Sequence, residues 1–227
     1  MTEAMNVDGD GGEENFRSCL SSLLDTGTVE SHRYYLARKT LLEMLRDRGF
    51  AVPNCEIEVP LEEFRTKHGD NPDVDGLRIS SLHKDDPSIK VLVLFCDPGI
   101  IKVNVVRGIT TRIVQEGLDR LILVVQGKMT SQASKAVELF PFKVEIFQIT
   151  DLVVNVTKHE LKPKHQVLTD AEKEKLLKQY SIEEKQLPRM LQKDAIARYY
   201  GLEKGQVVKV TYSGELTQLH VTYRCVW

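Results

Sequence analysis

Tyr34, Ala37, Leu41, Met44 and Leu45 recur at three- and four-residue spacing, the stripe of an amphipathic helix with one buried face. Ser31 is a candidate N-cap ahead of that stripe and Gly49 a C′ residue behind it, so a helix is expected from about Ser31 to just before Gly49. A second, short helix is expected with Pro60 at its first position, through Leu61 and Phe64, stopping before Gly69. Three apolar stretches follow, at 77–82, 90–95 and 101–106. They are separated by the turn formers Asp85-Asp86-Pro87 and Asp97-Pro98-Gly99, which predicts a strand meander. Beyond it the pattern alternates: helix at about 110–116, strand at 121–125, helix at 131–139, strand at 144–149. Strand, helix and strand with nearly continuous apolar strands predict a buried, partly parallel sheet covered by helices.

Leu152, Val153, Val154 and Val156 are too apolar for an exposed tether, so 151–157 reads as a further strand leading into a second domain near His159. Thr169 with Glu172, and Ser181 with Glu184, have capping-box spacing and predict two helix starts. Asp194 is placed to cap a short helix through Tyr199, closed by Gly201. Residues 207–212 and 219–226 then read as a hairpin around Ser213-Gly214, and the alternation up to Trp227 predicts a terminal strand tied into a sheet. The expected organisation is a leader at 1–30, an α/β domain at 31–150 and a small α+β domain at 151–227. About seventy residues are little material for a private core, so the second domain would gain from permanent docking on something larger.

Charge sharpens this division. The chain carries a formal net charge of −2, but residues 1–30 hold seven acids against Arg17 alone. Gly9, Gly11 and Gly12 and a serine-rich run leave that leader little apolar surface to offset ordering entropy, so it is expected to be largely disordered. Within it, Phe16, Cys19, Leu20, Leu23 and Leu24 have helical spacing and form a candidate docking helix. The remainder is mildly basic, too weakly for autonomous nucleic-acid binding. No apolar run reaches the roughly 20 residues of a membrane span and no basic-then-apolar signal opens the chain, so a soluble, intracellular protein is expected. Cys19, Cys55, Cys96 and Cys225 are widely spaced, which fits reduced structural thiols better than a zinc site or a disulfide framework.

A search for chemistry returns little. His159 and His165 lack a third ligand at suitable spacing, and Pro163 between them prevents a helical ligand face, so no metal is expected. Asn155-Val156-Thr157 has the form of a glycosylation sequon in an unsuitable apolar context. No phosphate-cradling loop or nucleophile elbow is present, so no cofactor, no small-molecule substrate and no catalytic residue are expected. Pro188, Arg189, Asp194, Arg198, Tyr199, Gly201 and Arg224 read instead as caps and interface residues, since arginine beside tyrosine is typical of protein interface cores.

The segments His159-Glu160-Leu161-Lys162-Pro163-Lys164-His165, Gln186-Leu187-Pro188-Arg189, Asp194-Ala195-Ile196-Ala197-Arg198-Tyr199-Tyr200-Gly201 and Gly205-Gln206-Val207-Val208-Lys209, in this order, resemble the assembly domain of the fifth shared subunit of eukaryotic nuclear RNA polymerases, a domain with a small archaeal polymerase counterpart. Residues 31–150 resemble that subunit's jaw domain. The resemblance implies a nuclear, non-catalytic polymerase subunit with a restriction-endonuclease-like α/β jaw. Its α+β assembly domain would dock on the largest subunit through His159, Pro163, His165, Pro188, Arg189, Asp194, Arg198, Tyr199, Gly201, Gly205, Gln206 and Arg224. On this reading Arg198→Glu weakens docking and leaves the fold intact.

The jaw would lie beside downstream duplex DNA, with Arg33, Arg38, Lys39, Arg46, Arg107 and Arg112 as candidate backbone contacts, joined by Arg48, Lys102 and Arg120. A nuclease reading fails because Pro72-Asp73-Val74-Asp75 is not followed by the acid and lysine, two residues apart, that such a metal site needs. The acidic leader, Lys162 between Leu161 and Pro163, and the run from Glu30 to Arg38 resemble the plant paralogue that serves RNA polymerase V in RNA-directed DNA methylation. An altered docking loop is a means of choosing one largest subunit over another. The alternatives are a subunit shared by polymerases I, II and III, and a free-standing transcription adaptor.

Overall fold

The computed structural model describes residues 27–113, 117–214 and 218–227. The expected disordered leader and its candidate helix lie almost wholly outside these residues. The leader boundary moves, because helix α1 spans Val29–Asp47 and takes in Val29 and Glu30. Its N-cap is Thr28, not Ser31: the Thr28 hydroxyl accepts the Ser31 N–H at 3.2 Å and also bonds the Asp70 carbonyl. Ser31 is fully buried one turn in. Gly49 does close the helix, with φ of +91°.

Two short helices follow, α2 (Asn54–Ile57) and α3 (Leu61–His68); Pro60 stands at the N-cap of α3 in extended conformation, one residue before the expected first helical position, and Gly69 ends the helix. Strands β1 (Ile79–Leu82), β2 (Lys90–Phe95), β3 (Arg120–Val125) and β4 (Lys143–Gln148) form a sheet in that order. Only β1–β2 is antiparallel; β2–β3 and β3–β4 are parallel. The expected meander is corrected here. Ile101 makes a single bridge to Met129, and Val103–Ile113 is helix α4, starting seven residues before the expected helix; the expected end at 114–116 lies outside the described residues. The β-branched run misleads because Val106 and Ile113, two turns apart on one helical face, are buried under the sheet, and packing overrides intrinsic strand preference. Helix α5 (Ser131–Glu138), capped by Thr130, completes the crossover between β3 and β4.

The sheet is covered on both faces. Val91, Val93, Phe95, Ile122 and Val124 pack with Tyr34, Leu41 and Leu45 of α1. Leu92, Leu121, Leu123 and Val125 pack with Val106 and Ile113 of α4 and Ala133 and Val137 of α5.

Residues 151–157 form no strand. Helix α6 (Ile149–Leu152) and a 3-10 turn (Val156–Lys158) take their place, with Ile149 and Leu152 buried against the α1 side. The second sheet has the order β5 (Lys164–Val167), β7 (Val207–Gly214), β8 (Gln218–Val226), β6 (Arg189–Met190). β7 and β8 are the expected hairpin, and β8 lies inside the sheet, parallel to β6. Helix α7 (Asp170–Tyr180) starts with the Thr169/Glu172 capping box. The second box is displaced: Ser181 is the left-handed C-cap of α7, and the reciprocal pair is Glu183 with Gln186 around a 3-10 turn. Helix α8 (Ala195–Tyr200) is capped by Asp194 and closed by left-handed Gly201, as the sequence predicts.

Candidate functional site

Helix α1 has an unusual burial profile, because every residue from Thr40 to Leu45 is inaccessible, polar Glu43 included. A helix on the edge of a domain leaves one face wet; this one is covered by its own sheet on one side and by the second unit on the other. Tyr199 of α8 and Leu152 of α6 belong to the same apolar cluster as Leu41 and Met44. The two units therefore share a core along α1.

Polar contacts line this seam. Glu43, 4% exposed at its side chain, accepts from Lys158 Nζ at 2.5 Å and from Asn155 Nδ2 at 2.7 Å. Burial alone would raise its carboxyl pKa, but these donors outweigh it and hold the group below the ordinary carboxylate value. Asp47 accepts the Tyr199 hydroxyl proton at 2.8 Å, and burial pushes that phenol well above its usual range. Arg48 donates to both Glu145 oxygens and to the carbonyls of Arg198 and Tyr199, at the end of α8. Asn155 thus serves in a turn cap and a buried hydrogen bond.

This seam absorbs several residues that the sequence assigns to docking or to DNA. Arg198 is a seam residue. It donates to Asp151 Oδ2 at 3.0 Å and to the Ile146 carbonyl at 2.8 Å, and it stacks 4.5 Å over Phe147. The expectation that its charge reverses without cost to the fold is corrected by these contacts. Tyr199 is 4% exposed and faces inward. Gly201 backs onto the Arg48 guanidinium, where a Cβ would lie 3.0 Å from Cζ. Arg48 itself, 4% exposed, leaves the DNA candidates, and Arg120 lies 4.0 Å from Glu145 and 3.9 Å from Glu203.

The other docking candidates split into two groups. The loop before β5 folds on itself: His159 Nδ1 accepts the Leu161 N–H at 3.2 Å, and His165 Nδ1 donates to the Pro163 carbonyl at 2.7 Å. Burial disfavours the charged form of His165. Leu161 is left 85% exposed at the tip. Half-buried Lys162 has its ammonium disfavoured by burial, an effect that the charge of Asp47 opposes. On the other edge, exposed Pro188 accepts the Cys225 N–H at 2.8 Å and exposed Arg189 lies 4.4 Å over the Trp227 ring. Arg224 is exposed on β8. Asp194 caps α8, while Gly205 and Gln206 turn the chain into β7, the Gly205 carbonyl accepting from Lys173 and Gln206 accepting the Glu203 N–H.

The DNA candidates are mostly engaged. Arg33 pairs with Glu30 at 2.6 Å, Arg38 with Glu56 at 3.2 Å and Arg46 with Asp47 at 3.6 Å. Lys39 sits 5.8 Å over Tyr35. Arg112 pairs at 3.4 Å with Asp75, both largely exposed, and Lys102 and Arg107 are exposed on the same stretch of chain. Asp73 accepts the Asp75 N–H at 3.3 Å, so both acids of the nuclease-like run serve a turn.

The chain is similar to known proteins along both units. Residues 28–113 match the family model described as RNA polymerase Rpb5, N-terminal domain, and residues 154–226 match RNA polymerase Rpb5, C-terminal domain. The chain is 60% identical over 210 residues to DNA-directed RNA polymerase V subunit 5A of Arabidopsis thaliana, spanning 92% of this chain and 95% of the relative. It is 59% identical over 204 residues to DNA-directed RNA polymerases IV and V subunit 5B of the same plant, spanning 89% and 94%. It is 38% identical over 205 residues to DNA-directed RNA polymerases I, II, and III subunit RPABC1 of Caenorhabditis elegans, spanning 87% and 97%.

Proposed function

The chain belongs to the RNA polymerase Rpb5 family, and from that premise we propose that it is a non-catalytic subunit of nuclear RNA polymerase V. In this reading it acts in RNA-directed DNA methylation and gene silencing. The second unit anchors it to the largest subunit, and the first forms the lower jaw beside downstream duplex DNA. The observation that carries the polymerase V assignment is the 60% identity, over 92% of the chain, to a relative that bears that name.

Three features support the mechanical reading. A shared core along α1 transmits position from the anchoring unit to the jaw without a hinge, since Leu41, Met44, Leu152 and Tyr199 pack as one cluster. The exposed edge with Pro188, Arg189, Arg224 and Leu191, the last 68% exposed, is a surface of the kind that docks a partner. Lys102, Arg107 and Arg112 are exposed cations on one stretch of chain, the kind of side chain that pairs with backbone phosphates. The mixed sheet between helical layers fits the restriction-endonuclease-like description of the jaw. A second reading, a subunit shared among several polymerases, is favoured by the 38% identity that spans 97% of the polymerase I, II and III relative.

Affinity purification of the tagged chain from plant nuclear extract, with mass spectrometry of the largest subunits recovered, tests the assignment. Recovery of the polymerase V largest subunit alone supports a dedicated subunit. Recovery of several replaces that reading by the shared one, and recovery of none overturns both.

A further inference from the structure

Between α1, α2, α3 and β1 lies a recess of 360 Å³ that neither the seam nor the docking edge uses. Tyr35, Leu42, Ile57 and Phe64 form its apolar wall. The charged groups are Arg38, Lys39, Lys67 and Arg78 against Glu56 and Glu63, a formal balance of +2. Arg38 marks the recess as a site. Its Nη2 is 3.2 Å from Glu56, whereas its Nε is buried with no hydrogen-bond partner among the described residues. A buried guanidinium N–H bears a desolvation penalty that a suitable acceptor removes. The field inside is positive: His68, tilted against Phe64 at 4.7 Å, is driven toward its neutral form by burial first and then by the charges of Arg38 and Lys67.

We infer that this recess binds a phosphate monoester carried on a side chain of a partner polypeptide, with Arg38 Nε and Lys67 as donors. A monoester is close to a dianion at neutral pH, matching the +2 balance. Its charge competes with Glu56 for Arg38, and release of Nη2 completes a two-pronged guanidinium donor. The apolar wall receives the carbon stem of the ligand. A duplex phosphodiester fits less well, because it is a monoanion on a convex surface and Arg38 lines a concavity.

The test titrates the full chain with the N-acetyl amides of phosphoserine, phosphothreonine and phosphotyrosine, with inorganic phosphate and with a short DNA duplex, following the Arg38 Nε–H and His68 imidazole resonances. Saturable shifts with at least one phosphoamino acid are expected. Lys67→Gln, at an exposed position, weakens binding about 3- to 10-fold, and Arg38→Gln about tenfold or more, by loss of charge-assisted bonds. Absence of saturable shifts, or binding insensitive to both substitutions, overturns the site. Inorganic phosphate binding as tightly as every phosphoamino acid overturns presentation on a side chain, and a duplex that binds more tightly through the same two residues reassigns the recess to nucleic acid.

Discussion

Arg48 grips Glu145 with both ends of its guanidinium, Nη1 to Oε1 at 3.0 Å and Nη2 to Oε2 at 2.8 Å, while Nε and Nη2 also reach the carbonyls of Tyr199 and Arg198. One side chain from the end of α1 thus fixes β4 of the first sheet and the C-terminus of α8. Removing it leaves a nearly buried carboxylate and two helix-end carbonyls without their donor. Arg48→Ala is expected to lower unfolding free energy by about 3–5 kcal/mol, and Arg48→Lys to recover little, because an ammonium cannot present a planar fork to four acceptors. Urea denaturation of the three proteins checks this.

On the proposed anchoring to the largest subunit, Arg198 and Arg189 separate folding from docking. Arg198→Glu brings a carboxylate against Asp151 and loses the Phe147 stack, so a stability loss of about 1–3 kcal/mol is expected. Arg189→Glu, at an exposed edge over Trp227, costs about 0.5–1 kcal/mol but reduces co-purification with the largest subunit. Thermal unfolding beside pull-down yields distinguishes the two. Full recovery of partner by Arg189→Glu would remove that edge from the interface.

Glu43 makes the seam acid-sensitive. Its folded-state pKa is depressed, so its contribution is fully present above the unfolded carboxylate pKa and is lost as pH falls through the lower folded value. Glu43→Gln is expected to be less stable at neutral pH and to show a flatter dependence of stability on pH in the acid range. Stability measured from neutral to strongly acidic pH reads both.

Two glycines should respond differently to alanine. At Gly127 a Cβ would meet the Gly99 carbonyl oxygen at 1.8 Å, a backbone clash that side-chain motion cannot relieve. At Gly201 the cost is a left-handed φ of +63° and a 3.0 Å approach to the Arg48 guanidinium. Gly201→Ala is expected to cost about 1–2 kcal/mol and Gly127→Ala more; calorimetric melting of each variant orders them.

Thiol reactivity should follow burial. Cys55 is exposed, whereas burial first and then Asp97 push the Cys96 thiol up to about 11, and Cys225 is raised by burial and by Glu184. Iodoacetamide at neutral pH is expected to modify Cys55 and to spare Cys96 and Cys225 until denaturant is added. Peptide mapping by mass spectrometry reads the order.

The sequence alone determined what local chemistry fixes. The Thr169/Glu172 box and Asp194 and Gly201 around α8 rest on contacts within a few residues, while the α1 stripe, the β7–β8 turn and the apolar runs of β2, β3 and β4 carry a local periodicity that spacing reveals. The family was also legible, because the turn and cap residues that carry the resemblance stand in order along the chain. What only the tertiary structure decided involves partners far apart in sequence. Val103–Ile113 is helical because the sheet buries Val106 and Ile113, and 151–157 avoids the strand state because Leu152 is needed against α1. Glu43, Arg48, Glu145, Asn155 and Arg198 are ordinary polar residues until folding brings them together across as many as 150 positions. Arg48 and Arg198 looked like surface cations for this reason: a charge is drawn inside only where acceptors from another part of the chain replace its water, and periodicity holds no record of that match.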